Sequence, residues 1–405
     1  MIRIQPQTAS HDGSSQQIIK DHNATLLFNL VRKHAPVCRA DLARLSGLSP
    51  ATVTVLIDEL LQNQWLREIP LVKPASGRGR RPILLEVNAP RGYVATIEII
   101  SHGYFLNLYD ICLHKVAFCR SRDIASSAQQ VLDSLLELLR SSQIDRSRLL
   151  GVHVLYPGLF DAQTGRLGFS AVIEPQQMVQ RELIAFLREQ LAPAHVMINN
   201  NAAAVAYSAY IAEPGASAAP VLAITIEEGM NAGIVMDERY CIPIEAGHII
   251  IQPHGPACNC GNHGCLETLC SAPALFAALN ARAGMHLTYQ ENYAADCNQL
   301  AMQQAAAAFH RKEPAVMDVM REYAYHLCCG LVSIINLFAV RSVRIGGMVR
   351  LLGDGFLGLL QKTLEQQFHI VTDAGSVALS LFENDFESSR KAAVVMTLGA
   401  IFQRA

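Results

Sequence analysis

Between Glu245 and Glu267 the chain concentrates three thiols, three imidazoles and two carboxylates. The stretch Glu245-Ala-Gly-His248 is followed by Cys258-Asn-Cys260-Gly-Asn-His-Gly-Cys265-Leu-Glu267. His248, Cys258, Cys260 and Cys265 fall within 18 residues, and three thiolates with one imidazole are a recurrent tetrahedral set for structural zinc. Gly261 and Gly264 permit the sharp turns that let thiols two and seven residues apart face one ion. Cys265-Leu-Glu-Thr-Leu reads as the start of a helix, where the positive end of the dipole favours a thiolate. A bare Cys-x-Cys would read as two free buried cysteines. The histidine and the third thiol at loop spacing turn the reading to zinc. His254 and His263 lie close by and read as surface loop residues.

The elements that must position this cluster belong to a chain of 405 residues, enough for two or three domains with sizeable cores. Although 51% of residues are hydrophobic, no apolar run approaches the ~18–20 residues a membrane span needs. The longest candidate, Gly330 to Val340, is closed by Arg341. The N-terminus lacks the apolar core of a signal peptide. Eleven cysteines, with Cys328 and Cys329 adjacent, make poor material for a disulfide framework and fit a reducing cytoplasm. The net charge of −2 hides an asymmetry: residues 1–90 carry 11 Lys and Arg against 7 Asp and Glu, and the remainder is acidic. That balance points to a polyanionic partner for the first part only.

Residues 1–19 are polar and read as a disordered tail. Ile19 to His34 has helical periodicity, with Leu26, Leu27, Leu30 and Val31 on one face. Arg39 to Ser46 predicts a short second helix stopped by Gly47, with Leu42 and Leu45 inward, Asp41 and Arg44 outward, and Cys38 as a poor cap. Ser49-Pro50 starts a third helix that runs to about Asn63. Two strands, Trp65 to Glu68 and Ile83 to Val87, enclose a loop carrying Gly77-Arg78-Gly79-Arg80-Arg81. This order predicts a winged helix-turn-helix over residues 20–90 that reads duplex DNA. Arg39, Ser49, Ala51, Thr52 and Thr54 are the candidate contacts of the helices; Arg78, Arg80 and Arg81 would enter a minor groove. Beyond Tyr93, strands at 94–100, 105–108, 115–120, 150–155, 196–198, 221–226 and 232–236 interleave with helical stretches, so residues 91–405 read as an α/β body.

The motif Glu245-x-x-His248, Cys258-x-Cys260-Gly-x-x-Gly-Cys265-x-Glu267 resembles the zinc and sugar-binding signature of the ROK family, which holds bacterial sugar kinases and transcriptional repressors. The resemblance implies two actin-like (RNase H-like) lobes around a cleft, with a closing helix from Ser389 to Phe402 packed on the first lobe. It also implies that Asn200, Asn201, Glu245, His248 and Glu267 line a sugar pocket. Their amides and carboxylates suit vicinal hydroxyls, and zinc held by four protein ligands would stiffen that pocket rather than catalyse.

The phosphate machinery of the family's kinases is degenerate here. The first phosphate loop is replaced by Glu98-Ile99-Ile100-Ser101-His102, which lacks glycine. Glu227-Glu228-Gly229 stands where the kinases have Gly-Thr-Gly, and like charges there repel a triphosphate. Asn201 occupies the position of the catalytic aspartate, and an amide cannot act as a general base. Gly346-Gly347 reads as a relic of the nucleotide side, placed in a turn. Val172, in Ser170-Ala171-Val172, replaces a sugar-contacting asparagine. The expectation is therefore a cytoplasmic, non-enzymatic regulator of sugar genes, most simply a repressor. It is expected to be a homodimer or homotetramer on an operator, released by a sugar or sugar phosphate. A ROK sugar kinase, and a regulator governed by a protein partner with no sugar, are the alternatives.

Overall fold

The computed structural model describes residues 15–69, 83–100, 103–121, 127–161, 163–168, 170, 182–212, 220–236, 241–290, 295–370, 377–383 and 386–402. The chain divides into one unit of Met1–Asn199 with Ala393–Ala405 and a second of Asn200–Ala392.

The first unit opens with α1 (Ser15–His34), β1 (Val37–Cys38), α2 (Arg39–Ser46), α3 (Pro50–Gln62), β2 (Leu66–Ile69) and β3 (Leu84–Val87). Helix α1 starts inside the stretch read as a disordered tail, because Ser15-Gln-Gln contains no breaker and extends the helical run. The capping chemistry works as expected at α3, where the Ser49 hydroxyl accepts the Thr52 N–H at 3.1 Å. Gly47 ends α2 in the left-handed region (φ 70°). Cys38 makes no capping bond and instead donates its thiol to Asp41 at 3.1 Å. Leu42 is fully buried, but Leu45 is 44% exposed, a correction to its inward placement. In this eight-residue helix the inner stripe runs through Leu42, Ala43 and Ser46, the last bonded back to the Leu42 carbonyl. The three strands form an antiparallel sheet in the order β1-β3-β2.

There follow β4 (Tyr93–Ile100), β5 (Gly103–Asp110), β6 (Lys115–Ser121), α4 (Ala128–Ser141), β7 (Leu149–Tyr156), α5 (Leu183–Leu191) and β8 (His195–Asn200). Their sheet runs β6-β5-β4-β7-β8, with β4 and β7 parallel. Alternation puts Ala95, Ile97 and Ile99 on one face, in a core with Val131, Leu135, Leu183 and Leu187 of α4 and α5. The opposite face carries a buried polar row at paired positions, Asn107, Thr96 and His153. Val94 and Tyr109 on that face share a core with Leu27, Phe28, Leu56 and Trp65 of the N-terminal helices, and with Val394, Leu398, Ile401 and Phe402 of the last helix.

The second unit contains α6 (Asn201–Ala212), β9 (Val221–Ile226), β10 (Met230–Val235), β11 (Cys241–Ile244), α7 (Leu266–Cys270), α8 (Ala272–Ala283), α9 (Ala295–His310), α10 (Pro314–Phe338), β12 (Ser342–Gly347), α11 (Gly353–Gln367) and β13 (Ala378–Leu381). Helix α12 (Phe386–Phe402) closes the chain. The sheet order is β11-β10-β9-β12-β13. Leu222, Ile224, Val343 and Ile345 face a core built with Phe276, Met302, Leu327 and Phe356 of α8, α9, α10 and α11. On the other face Gly233 lets α6 approach, since a Cβ there would stand 2.7 Å from that of Ala206. Gly346 and Gly347 form the last pairs of β12 with β9 rather than a turn, as expected from sequence; the chain leaves the strand only where Gly347 takes φ 80°.

Candidate metal centre and helical head

The Cys3His cluster is assembled by three short pieces of chain. His248 ends a single 3-10 turn over Ala246–His248, Cys258 opens a tight turn that contains Cys260, and Cys265 takes the N-cap position of α7. The Cys258 carbonyl accepts the Gly261 N–H, and Gly261 takes φ 93°. Gly264 takes φ 66° with its Cα against the Gln252 carbonyl, and a Cβ there would stand 1.5 Å from that oxygen. Only glycine meets both demands. A bridge between Ile250 and Cys265 and another between Ala257 and His263 tie the loop to itself.

The ligand atoms of His248, Cys258, Cys260 and Cys265 all lie within 4.8 Å of one another. The His248 Nδ1 to Cys258 Sγ and the Cys260 Sγ to Cys265 Sγ separations are both 3.6 Å. Those are the edges expected of a tetrahedron around an ion with bonds of roughly 2.3 Å to sulfur and 2.0–2.1 Å to nitrogen. Burial, reinforced by the neighbouring thiols, pushes Cys265 up to about 12. The Asn262 backbone N–H draws Cys260 down. A cation at the centre would supply the charge that makes the buried Cys265 a thiolate at neutral pH. The donor set can therefore hold a metal ion. His254 and His263 are exposed beside it.

Of the residues assigned to a sugar, Glu267 has the most defined setting. It is half-buried on α7, and its Oε2 accepts the Met230 N–H at 2.8 Å. Gly229 and Gly247 leave room for it: a Cβ at either would come within 2.8 Å and 3.1 Å of Oε2. Because Gly247 precedes His248, the carboxylate is tied to the metal loop. Glu245 is exposed, with its carbonyl accepting the His248 N–H. Asn200 ends β8 and caps the next helix, its Oδ1 accepting the Ala202 N–H at 2.9 Å. Asn201 opens α6 with its Oδ1 buried and unbonded. Glu227-Glu228-Gly229 forms the turn between β9 and β10. Ser170 bonds to the Pro157 carbonyl, while Ala171 and Val172 lie outside the described residues.

In the helical head, Ala51 and Thr54 are exposed on α3 and Ser49 is exposed at its cap. Arg39 is committed within the head, its guanidinium 2.8 Å from Asp58 and 3.3 Å from Glu68. Arg78, Arg80 and Arg81 lie outside the described residues. Val55, 56% exposed, was not singled out from sequence, although its spacing of four from Ala51 puts it on the same helical face.

The model of the ROK family matches residues 112–372, and the chain belongs to that family. It is 24% identical over 362 residues to the DNA-binding transcriptional repressor Mlc of Escherichia coli K12, spanning 86% of each chain. It is 25% identical over 342 residues to the xylose repressor of Bacillus subtilis 168, covering 82% of this chain and 83% of that protein. Among solved structures, a ROK family transcriptional regulator homologous to E. coli Mlc superposes with a TM-score of 0.71 at 23% identity, over 95% of this chain and 97% of its own. The ROK hexokinase of Thermus thermophilus superposes with a TM-score of 0.55 at 18% identity, over 97% of its own chain but 75% of this one. The α/β sheets are thus those of the ROK fold that kinases and regulators share, with a helical region at the N-terminus.

Proposed function

We propose that this chain is a sugar-responsive transcriptional regulator, acting as a repressor, whose kinase-like body has lost phosphoryl transfer. The observation that carries the reading is coverage. A kinase accounts for three quarters of the fold, whereas a regulator accounts for 95% of it. In this reading residues 20–90 are a winged helix-turn-helix and residues 91–405 an effector body. The module's helix α3 lies in the major groove and Arg78, Arg80 and Arg81 of the wing lie in the minor groove. Two modules of a homodimer or homotetramer meet half-sites one helical turn apart. Zinc on His248, Cys258, Cys260 and Cys265 holds the loop that presents Glu245 and Glu267, and His248 bonds a hydroxyl through Nε2 while Nδ1 faces the metal. Asn200 and Asn201 complete the set. A sugar or sugar phosphate that binds there lowers operator affinity, a coupling of ~1–3 kcal/mol being sufficient.

The loss of catalysis is supported by Asn201 in the place of a general base and by the carboxylates of Glu227 and Glu228 in a phosphate turn. The test is selection of bound fragments from genomic DNA by the full-length protein, followed by release with a panel of sugars and sugar phosphates. Sequence-specific retention that falls steeply with salt is expected, with at least one sugar restoring free DNA. Replacement of all three wing arginines by Ala should abolish specific binding. ATP-dependent phosphorylation of any hexose by the purified protein would overturn the reading, and release by a protein but by no sugar would replace the effector.

A further inference from the structure

The exposed face of α3 runs through Ala51, Thr54, Val55, Asp58 and Gln62, spaced three, four, seven and eleven residues from its first member, as one side of a helix requires. The polar atoms at its N-terminal end are already committed. The Ser49 Oγ accepts the Thr52 N–H at 3.1 Å and lies 2.8 Å from the Thr52 Oγ1. Thr54 donates its hydroxyl to the Pro50 carbonyl at 2.8 Å, which leaves its methyl group as the part it can offer outward. Asp58 is held by Arg39 at 2.8 Å. What remains along the first two turns is a row of methyl groups: the Ala51 Cβ, the Thr54 Cγ2 and the isopropyl group of Val55, which is 56% exposed. No Arg, Lys or Asn stands on this face to grip guanine or adenine in two-point fashion, and Gln62, which could grip adenine, is the last residue of α3, seven positions beyond Val55 and away from the N-terminal turns.

An apolar row on a helix that a basic module presents to DNA has one base-edge partner in the major groove, the 5-methyl group of thymine. Resting on the DNA-binding reading above, we infer that α3 reads its half-site chiefly through thymine methyl contacts made by Val55 and Thr54, not through hydrogen bonds to base edges. Ser49, Thr52 and Arg39 then set the shape and pose of the helix rather than touch bases. Val55 becomes the specificity-determining residue of the module.

The experiment uses the full-length protein and the tightest duplex it selects from genomic DNA. Each thymine is replaced in turn by deoxyuridine, which pairs identically but lacks the methyl group. Loss of a buried methyl group predicts binding weakened roughly three- to fivefold at one or more positions in each half-site. Val55→Ala should weaken the parent duplex by a similar factor and lose its sensitivity to deoxyuridine at one of those positions. Thr54→Ser, which keeps the hydroxyl bonded to Pro50, should do the same at a neighbouring position. Affinity unchanged at every substituted thymine overturns the inference while leaving the regulator reading intact. So does a Val55→Ala protein that loses equally on both forms of the duplex. Failure to select any duplex removes both.

Discussion

The carboxylate of Glu267 accepts the backbone N–H of Met230 at 2.8 Å, and the turn that delivers this N–H is Glu227-Glu228-Gly229. In the proposed reading, a turn that would face phosphate in a kinase instead anchors Glu267, a proposed sugar ligand. Gly229 is what permits the approach, because its missing Cβ would lie 2.8 Å from Oε2. Gly229→Ala is therefore expected to displace the carboxylate and weaken the effector sugar at least about tenfold, the usual scale for a lost hydrogen bond to a charged group. Titration calorimetry with the sugar that releases DNA measures it, and bound zinc should stay constant. Unaltered affinity would remove Glu267 from the ligand set.

Metal removal provides a second test. One zinc per chain is expected by elemental analysis, and Cys258→Ser or Cys265→Ser should lose it. The loop has only short backbone bridges without its ion, so a fall in Tm of several degrees is expected, each kcal/mol being worth ~2–4 °C in a domain of 150–250 residues. Protons compete with the metal for thiolates, so release by a chelator should quicken as pH falls. A protein that keeps its Tm after complete stripping would show that the cluster holds nothing of structural weight.

The Cys3His cluster that could hold a metal ion was legible from the sequence because its members are local: four residues within one short stretch need only turns to converge, and Gly261 and Gly264 announce them. Helices α2, α3 and α4 and strand β9 were equally legible from caps and periodicity. Strands β12 and β13 were not, because each is four to six residues long and pairs with a partner far along the chain; β11 pairs with the adjacent β10, but its four residues include Pro243, which argues against a strand. Phe28 was missed since its burial depends on Phe402, 374 positions later. Leu45 was misplaced for the converse reason: periodicity promises a face, and only the neighbour decides whether it is covered. Arg39 shows the same limit for charge, as its partners Asp58 and Glu68 sit on other elements.

His153 gives the first unit an acid-sensitive point. It is fully buried on β7, with Nδ1 2.9 Å from the Thr397 hydroxyl of α12. Burial pushes it down from 6.5 to about 4, with His195 acting in the same direction, against the opposing effect of Ala393 backbone and Asn199 side-chain oxygens that accept from the ring. Because the folded value lies below the unfolded one, the neutral ring's contribution is complete above pH 6.5 and is lost as pH falls toward 4. The linkage amounts to about 3 kcal/mol. Denaturant unfolding of the parent should show that loss between pH 6.5 and 4, and His153→Gln should flatten it over the same window. Equal slopes for both proteins would place the sensitivity elsewhere.

Phe402 closes a triangle with Phe28 and Trp65, at 4.8 and 5.6 Å between ring centroids, and Phe28 meets Trp65 edge-on at 5.6 Å. The Arg91 guanidinium covers the Trp65 ring from 4.6 Å. Two helical turns of α12 thereby complete the core of the N-terminal helices, with Val394, Leu398 and Ile401 in the same cluster. Phe402→Ala removes a ring that is 1% exposed, a change that costs about 3–5 kcal/mol in a packed core. Trp65 is the chain's one tryptophan, so its fluorescence reports on this triangle alone. The variant should show a red-shifted emission and faster hydrogen exchange in α1, while any metal content of the Cys3His cluster in the second unit is unchanged. If the emission stays where it was, the N-terminal module keeps its core without the last helix, and the triangle is packing of no consequence to it.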